Sequence, residues 1–454
     1  MTRPSPGCCA PATRFAMTAG AAFTYNRVSS NRLRTADLNI TLRAFRHRNF
    51  SLFMSGQICA LIGYWMQNIA QSWLLYRLSG SVTLLGVLGF ASSVPILLLA
   101  PFAGLWSDRF NLHRMMFATQ VLEMLQAAAL AALALAGIIA PWHIVTLSMV
   151  LGILVAIELP VRHAYLLELV GAREDLPNAI AMTSMVANCG RLVGPSLAGL
   201  MIGWFNEAVC FLFNTLTFIV VIVTFLMIRV IPSRRPASHP PMWHDLREGI
   251  AYAWHSIPIR LLLMLLMLMG LFATPYITLM PALVRDVFRG GAGQMGFLVG
   301  AGGLGAVTGT LYLASRASVR GLVRLLAYAS LAAGTALMLL AWSKMIWAAL
   351  PLLAVIGFGI LVASVSVNMI LQTIVDDDKR GRVMSFYTVA FLGIAPIGSL
   401  VAGTLAEMIG VPYTLFMGGA ACAAGALYIS YKRPQIREHI RPIYVRLGII
   451  PKTP

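Results

Sequence analysis

The sequence predicts an all-α membrane protein of twelve transmembrane helices in two six-helix bundles, and three observations carry that prediction. Of 454 residues, 59% are hydrophobic and 11% charged, with a mean hydropathy of +0.79, well outside the range of soluble globular domains. Apolar stretches alternate with short polar loops, and each stretch is long enough to cross a hydrocarbon core of about 30 Å as a helix rising 1.5 Å per residue. The cations are also asymmetric. With the N-terminus placed in the cytoplasm, every Lys and Arg falls on that side except Arg77, Arg285, Arg289 and Lys344, which fall outside, and Arg191, which lies within a span. That is the positive-inside pattern of a multi-pass inner-membrane protein with both termini cytoplasmic.

Taken in order, residues 1–44 are polar, Arg-rich and almost free of acids, and read as a disordered cytoplasmic tail. Spans follow at about 50–75, 84–106, 115–139, 142–162, 178–203 and 208–229, within a first bundle of residues 45–229. The longest internal polar segment, 230–258, holds Pro232, Pro236, Pro240 and Pro241, so its first part is irregular. Its second part, from Trp243 to Tyr252, alternates at helical spacing and suits an interfacial helix. Six more spans at about 260–284, 293–315, 323–342, 346–372, 382–408 and 412–431 form a second bundle, residues 259–431. Residues 432–454 make a basic cytoplasmic tail. The halves resemble each other. Leu192-Val193-Gly194-Pro195-Ser196-Leu197-Ala198-Gly199 aligns with Pro396-Ile397-Gly398-Ser399-Leu400-Val401-Ala402-Gly403, and a charged loop precedes both. A repeated six-span unit suits two bundles that rock about a midplane site.

Composition and motifs narrow the function classes. The net charge of +18 sits at helix ends beside anionic headgroups, with no separate basic patch interleaved with aromatics, so nucleic acid is not an expected partner. The six cysteines show no CxxC or Cys/His spacing, and Cys59, Cys189, Cys210 and Cys422 fall within spans, so neither a disulfide framework nor a metal site is expected. The eight histidines are dispersed near span ends or in loops, which argues against a membrane-embedded enzyme. No phosphate-binding G-x-x-x-x-G-K-[ST] loop occurs, so no nucleotide or other cofactor is expected.

Three motifs carry a family resemblance. The loop between spans two and three, Gly104-Leu105-Trp106-Ser107-Asp108-Arg109-Phe110-Asn111-Leu112-His113-Arg114, resembles the major facilitator superfamily loop signature, with Gly104, Asp108, Arg109 and Arg114 at its gating positions. Asn111 replaces the turn glycine, and Leu112 and His113 replace basic residues. Asp108 can face a helix N-terminus and latch the bundles in one state. Span five carries Gly190, Gly194, Pro195 and Gly199, similar to the antiporter signature of that superfamily, in which the motif implies export in exchange for protons. Small residues there also permit close helix packing, and Pro195 a bend. Finally, Gly63-Tyr64-Trp65-Met66-Gln67, Trp73-Leu74-Leu75-Tyr76, Glu174-Asp175-Leu176-Pro177-Asn178-Ala179, Asn188, Arg191 and Arg380-Gly381-Arg382 together resemble the transmembrane secretion effectors. That resemblance implies the major facilitator fold and an exporter of siderophores or macrolide-like drugs.

Ionisable groups inside a membrane are costly and so are functional candidates. Glu123 lies about a third of the way into span three, with Thr119 and Gln126 on its face, and Arg191 lies near the middle of span five. Both are proton-coupling candidates, Glu123 as a carboxylate that changes partners between bundle states. A structural Glu123–Arg191 ion pair is the alternative. Glu158 and Arg162 are spaced i, i+4 and suit an interfacial ion pair. Gln57, Tyr64, Gln67, Asn68 and Gln71 fall within about a 100° arc of span one and, with Gln126, are substrate-cavity candidates; interhelical hydrogen bonding is the alternative. Ser364, Ser366, Asn368 and Gln372 are weaker candidates, Met264, Met267 and Met269 offer a soft wall, and Glu207 and Glu407, at the outer edge, receive no role. The expected function is proton-coupled export of a small amphipathic molecule by a monomer in the inner (plasma) membrane. The alternatives are a lipid or lysolipid flippase, an uptake carrier, or a non-transporting membrane sensor.

Overall fold

The computed structural model describes residues 43–171, 174–229, 252, 254–316, 318–447 and 450. The expected N-terminal tail, apart from Arg43 and Ala44, and most of the 230–258 linker lie outside the described residues. A 3₁₀ turn, Arg43–Arg46, leads into twelve long helices. In the first half these are α1 (Arg48–Ser79), α2 (Val82–Arg109), α3 (Leu112–Leu135), α4 (Pro141–Val170), α5 (Leu176–Trp204) and α6 (Glu207–Met227). The second half has α7 (Ile257–Val287), α8 (Ala292–Ala314), α9 (Leu322–Trp342), α10 (Ile346–Ile374), α11 (Lys379–Ile409) and α12 (Val411–Arg446).

Eleven of these helices are long and apolar enough to span a membrane by composition; α1, at 32 residues, has the length but not the hydropathy. Its shortfall is the polar stripe from Gln57 to Gln71, so the weakest span on the apolar scale is the one richest in hydrogen-bonding side chains. Two helices outrun their predicted ends. α4 continues to Val170, and α12 continues through Pro434 and Pro442 to Arg446, so much of the stretch read as a basic tail is helical. Ile436, Ile440 and Tyr444 recur every fourth residue and are buried, so an apolar stripe sustains that extension despite two prolines that each remove a backbone donor.

The turns follow local chemistry. Gly80 closes α1 at φ 65°, a left-handed conformation that glycine adopts without strain, with its N–H on the Tyr76 carbonyl at 2.9 Å. Ser81 then caps α2, its hydroxyl accepting from the Leu84 N–H at 3.3 Å. Asn111 takes the same role for α3, accepting from the Arg114 N–H at 3.0 Å in an extended conformation. α7 breaks at Ala273–Pro275 and ends in a π turn, Leu283–Val287; α11 is interrupted by a π turn, Val389–Gly393.

Packing repeats between the halves. In the first bundle α1 packs on α5 and α6, α2 on α4, and α3 on α4 and α6. In the second, α7 packs on α11 and α12, α8 on α10, and α9 on α10 and α12. The main cross-bundle contacts are α2 with α11 and α5 with α8, again related by the repeat. The aligned glycines do matching jobs. Gly194 admits Trp65 and the Ile62 carbonyl of α1, while Gly398 admits the Leu271 and Gly270 carbonyls of α7. Gly199 and Gly403 instead face the opposite bundle, at Ala292 and Gly296 of α8 and at Val82 and Gly86 of α2. Glycine at these places lets helix backbones meet. At the end bearing the termini, Asp175 forms an ion pair with Arg43, Oδ1 to Nε at 2.5 Å, and a hydrogen bond with His47 Nε2 at 2.8 Å, and Asn178 accepts the Ala44 N–H at 3.0 Å. The Glu174–Ala179 motif thus clasps the start of α1 to the start of α5.

Candidate transport site and gate

The polar stripe of α1 divides between two environments. Gln67 is fully buried; its Nε2 donates to Gln126 Oε1 of α3 at 3.0 Å, and its Oε1 accepts from Asn214 Nδ2 of α6 at 2.8 Å. Gln126 Nε2 donates in turn to the Leu147 carbonyl of α4 at 3.1 Å. These amides therefore stitch four helices together, the interhelical alternative for that stripe, and they do not line the space between bundles. Gln57 and Gln71 are buried as well, and both amide atoms of Gln57 and the Nε2 of Gln71 lack a protein partner among the described residues. Tyr64 and Asn68 remain half-buried, with Asn68 Nδ2 on the Tyr64 carbonyl at 2.8 Å.

Arg191 projects from α5 over the Trp65 ring, 5.2 Å from its centroid. Tyr64 of α1 and Tyr276 of α7 lie near its guanidinium. Protein encloses it on most sides, yet it is open to solvent. Its backbone carbonyl lies against Gly303 of α8, within the α5–α8 contact between the bundles. The wall so formed has an aromatic body (Tyr64, Trp65, Tyr276), one cation and one carboxamide (Asn68). Tyr276 was not singled out in the sequence; the chain break beside Pro275 is the signal that marks it.

Glu123 takes no part in that wall, and among the described residues it makes no hydrogen bond or ion pair with Arg191. It belongs to a buried cluster between α3 and α4. Gln120 Nε2 donates to Glu123 Oε2 at 3.3 Å and to Glu158 Oε1 at 2.9 Å, and Arg162 donates to Glu158 Oε1 at 2.5 Å. Glu123 is 4% exposed and Glu158 3%, so the Glu158–Arg162 pair forms as its spacing predicts but is buried in the bundle rather than interfacial. Tyr64 lies near both carboxyl groups, between the cluster and the wall. Gln120 Oε1, Glu123 Oε1 and Arg162 Nε have no protein partner among the described residues. Of the loop signature, Arg114 is exposed, and the side chains of Gly104, Asp108 and Arg109 lie outside the described residues. Gly190 packs on Leu61, and Pro195 is buried with its carbonyl facing Gly296. The three methionines divide. Met269 is buried and accepts from Ser330 Oγ at 3.2 Å, while Met264 and Met267 are exposed in a groove between α7 and α11.

The end remote from the termini is closed by cross-bundle contacts. Glu407 of α11 accepts from Ser81 Oγ at 3.2 Å, from the Val82 N–H at 2.6 Å and from the Thr83 N–H at 3.0 Å. A carboxylate from one bundle thereby caps the first helix N-terminus of the interface on the other, where backbone donors and the helix dipole favour negative charge. The Tyr76 hydroxyl donates to Asp286, and Arg285 donates to the Tyr76 carbonyl at 3.3 Å; within the second bundle, the Thr278 and Ser399 hydroxyls meet at 3.1 Å. Glu207, by contrast, pairs with Arg77 at 3.0 Å inside its own bundle. Glu407 therefore has a bridging role that its edge position in the sequence concealed. An exposed cap is worth about 1 kcal/mol, so Glu407→Ala is expected to raise the alkylation rate of a cysteine at the buried Ser399 about fivefold. An unchanged rate would remove Glu407 from the closure.

A profile of the family described as transmembrane secretion effector matches residues 40–442. The chain is 24% identical over 388 residues to the staphyloferrin A transporter of Staphylococcus aureus, covering 85% of this chain and 97% of the relative. It is 25% identical over 374 residues to the multidrug efflux pump Tap of Mycolicibacterium fortuitum, covering 80% and 90%. Among solved structures, the nucleoside transporter NupG superposes with a TM-score of 0.68 at 12% identity, covering 87% of this chain and 98% of the other. A match across nearly all of the described chain, on twelve helices paired as α2 with α11 and α5 with α8, makes this protein a member of the transmembrane secretion effector family with the major facilitator fold.

Proposed function

We propose that the protein is a proton-driven exporter of a small amphipathic molecule, a siderophore-like or drug-like compound, working by alternating access in the inner membrane with both termini cytoplasmic. The observation that carries this reading is the buried Gln120-bridged cluster of Glu123, Glu158 and Arg162 beside the Tyr64–Arg191 wall. One guanidinium faces two carboxyl groups, so the cluster's charge balances when one carboxyl carries a proton. Glu158 is engaged by Arg162, which leaves Glu123 as the group that gains and loses it. With the termini cytoplasmic, the closed far end is periplasmic and the wall opens to the cytoplasm, where an exported molecule enters. Arg191 over Trp65 offers charge and an aromatic face together, a surface that suits amphipathic ligands. The names of the relatives, a siderophore transporter and a drug pump, support the same class.

A second reading has one observation behind it. The groove between α7 and α11, lined by Met264, Met267, Leu268, Leu271, Phe386 and Val389, has a volume of about 480 Å³ and an apolar lining, which suits lateral passage of a lipid chain. Everted vesicles containing the protein and energised acid-inside separate the readings. Addition of siderophores or cationic and neutral drugs should produce accumulation accompanied by proton efflux. Movement of a fluorescent phospholipid between leaflets, with no drug or siderophore accumulating, would replace export by lipid flipping.

A further inference from the structure

We infer that the end of the second bundle that bears the C-terminus holds a site for a phosphate-bearing anion, supplied by the headgroup of an anionic phospholipid. The site is a cavity of about 540 Å³ between the loop before α9, the first turn of α9 and the extension of α12. Five arginines line it: Arg320 and Arg324 on one side, and Arg433, Arg437 and Arg441 on the other.

The spacing shows how these side chains come to converge. Arg433, Arg437 and Arg441 lie at i, i+4 and i+8, on one stripe of α12, and Arg320 and Arg324 are again four apart across the start of α9. The buried stripe of Ile436, Ile440 and Tyr444 holds the α12 extension against the bundle. Leu322 is buried beneath the two arginines of the facing wall. Like charges at four-residue spacing repel along each helix, and here two such rows face one another across a single cavity.

Among the described residues, no acid lines the cavity. Glu438 lines the adjoining outer groove with Arg433, Pro434, Arg437, Arg441 and Pro442 and is absent from the cavity wall. Asp376 is engaged by Arg446 at 3.7 Å, outside the cavity. Arg316 is committed elsewhere, donating to the Tyr312 hydroxyl at 3.2 Å and to the Arg320 carbonyl at 2.8 Å. Arg324 is positioned from behind by the Tyr328 ring, 5.4 Å from its guanidinium carbon. The cavity thus presents several planar forks of donors, the geometry that matches phosphate oxygens.

The rest of the lining selects a lipid over a free ion. Val319, Val323 and Ile450 give the cavity apolar surface beside its cations, which a free phosphate would leave unused and an acyl-glycerol backbone would cover. Its depth is also right. α12 has 36 residues, about 54 Å of helix, against a hydrocarbon core of about 30 Å. Its basic stripe therefore begins where the apolar run ends, at the headgroup level. Basic pockets between helices at that level are where anionic headgroups bind.

The test uses the full-length protein in nanodiscs of phosphatidylcholine, alone or doped with phosphatidylglycerol or cardiolipin, and native mass spectrometry of lipids retained after transfer to detergent. Wild type should retain the anionic lipids, and its unfolding temperature should rise with them. Arg320→Gln combined with Arg437→Gln removes one fork from each wall and should weaken retention about thirtyfold, from the roughly fivefold that each basic residue contributes beside anionic headgroups. The control, Arg260→Gln combined with Arg382→Gln, removes equal charge elsewhere and should retain lipid as wild type does. Equal loss in both variants, or in neither, would overturn the site by reducing it to general charge attraction. The same rise in unfolding temperature with inorganic phosphate or pyrophosphate in detergent without lipid would overturn the lipid as the source and assign the cavity to a free anion.

Discussion

Glu123→Gln should abolish uphill transport while leaving downhill transport intact. A driving force of about 100 mV is worth about 2.3 kcal/mol per charge, which supports an accumulation ratio of about fiftyfold. If Glu123 carries the coupling proton, the variant should equilibrate its substrate across everted vesicles and stop at a ratio near one, with no substrate-dependent proton efflux. The substitution is nearly isosteric, and Gln120 can still bond the new amide, so folding should survive. Glu158→Gln provides the contrast. It takes the charged partner from Arg162, whose side chain is only 19% exposed, and leaves a largely enclosed cation uncompensated, so that variant should lose yield and thermal stability before coupling can be read. A Glu123→Gln protein that still accumulates substrate fiftyfold would place the proton elsewhere and leave the cluster structural.

The second large effect should come from Gly86→Val. A Cβ at Gly86 would lie 2.7 Å from the Ser399 carbonyl oxygen, 3.1 Å from Gly403 Cα and 3.3 Å from Leu400 Cα, all backbone of α11. Backbone cannot rotate away as a side chain can, so the far end must part. Overpacking of this kind costs about 1–3 kcal/mol. States of a carrier differ by only a few kcal/mol, so the closed population should fall about 5- to 150-fold. Because Gly86 meets the other bundle and not its own, each bundle should fold normally. Spin labels at Leu78 and Met408, both exposed at the far end, should report a longer separation, and transport should fall in proportion. Gly203→Val is the control, since nothing lies within 4 Å of a Cβ there. An unchanged label distance with transport intact would show that closure does not depend on this contact.

Much of the architecture was written in the chain. Hydropathy marked eleven of the spans outright, the length of its apolar stretch marked α1, and cation placement gave the expected orientation, because a bilayer punishes unpaired backbone and misplaced charge far more than water does. The α12 extension escaped because its apolar stripe is diluted by arginines, and a window average cannot see a stripe. The site was legible in fragments. Glu123 stood out as intramembrane charge, and Glu158 and Arg162 only as an interfacial i, i+4 pair, but the residue that joins them, Gln120, is an uncharged amide whose meaning depends on α3 lying beside α4. Arg191 stood out as well, yet its neighbour is an aromatic ring and not a carboxylate, and no local spacing distinguishes the two. Glu407 looked like an ordinary edge residue because its donors, Ser81, Val82 and Thr83, belong to the other half of the chain. Contacts between bundles are the information that periodicity along one helix does not hold.

The hydrogen-bonded glutamine of α1 also bears on biogenesis. Among the described residues, Gln67 finds its partners on α3 and α6, and of the twelve helices described, α1 falls short of the apolarity of a self-sufficient span. During synthesis, α1 would therefore reach the translocon before any of the groups that satisfy it has been made. Its stable residence in lipid must wait for α6, so the first helix to be synthesised would be among the last to settle. Ribosome-bound intermediates ending after α2 should leave α1 accessible to aqueous reagents, and those ending after α6 should not.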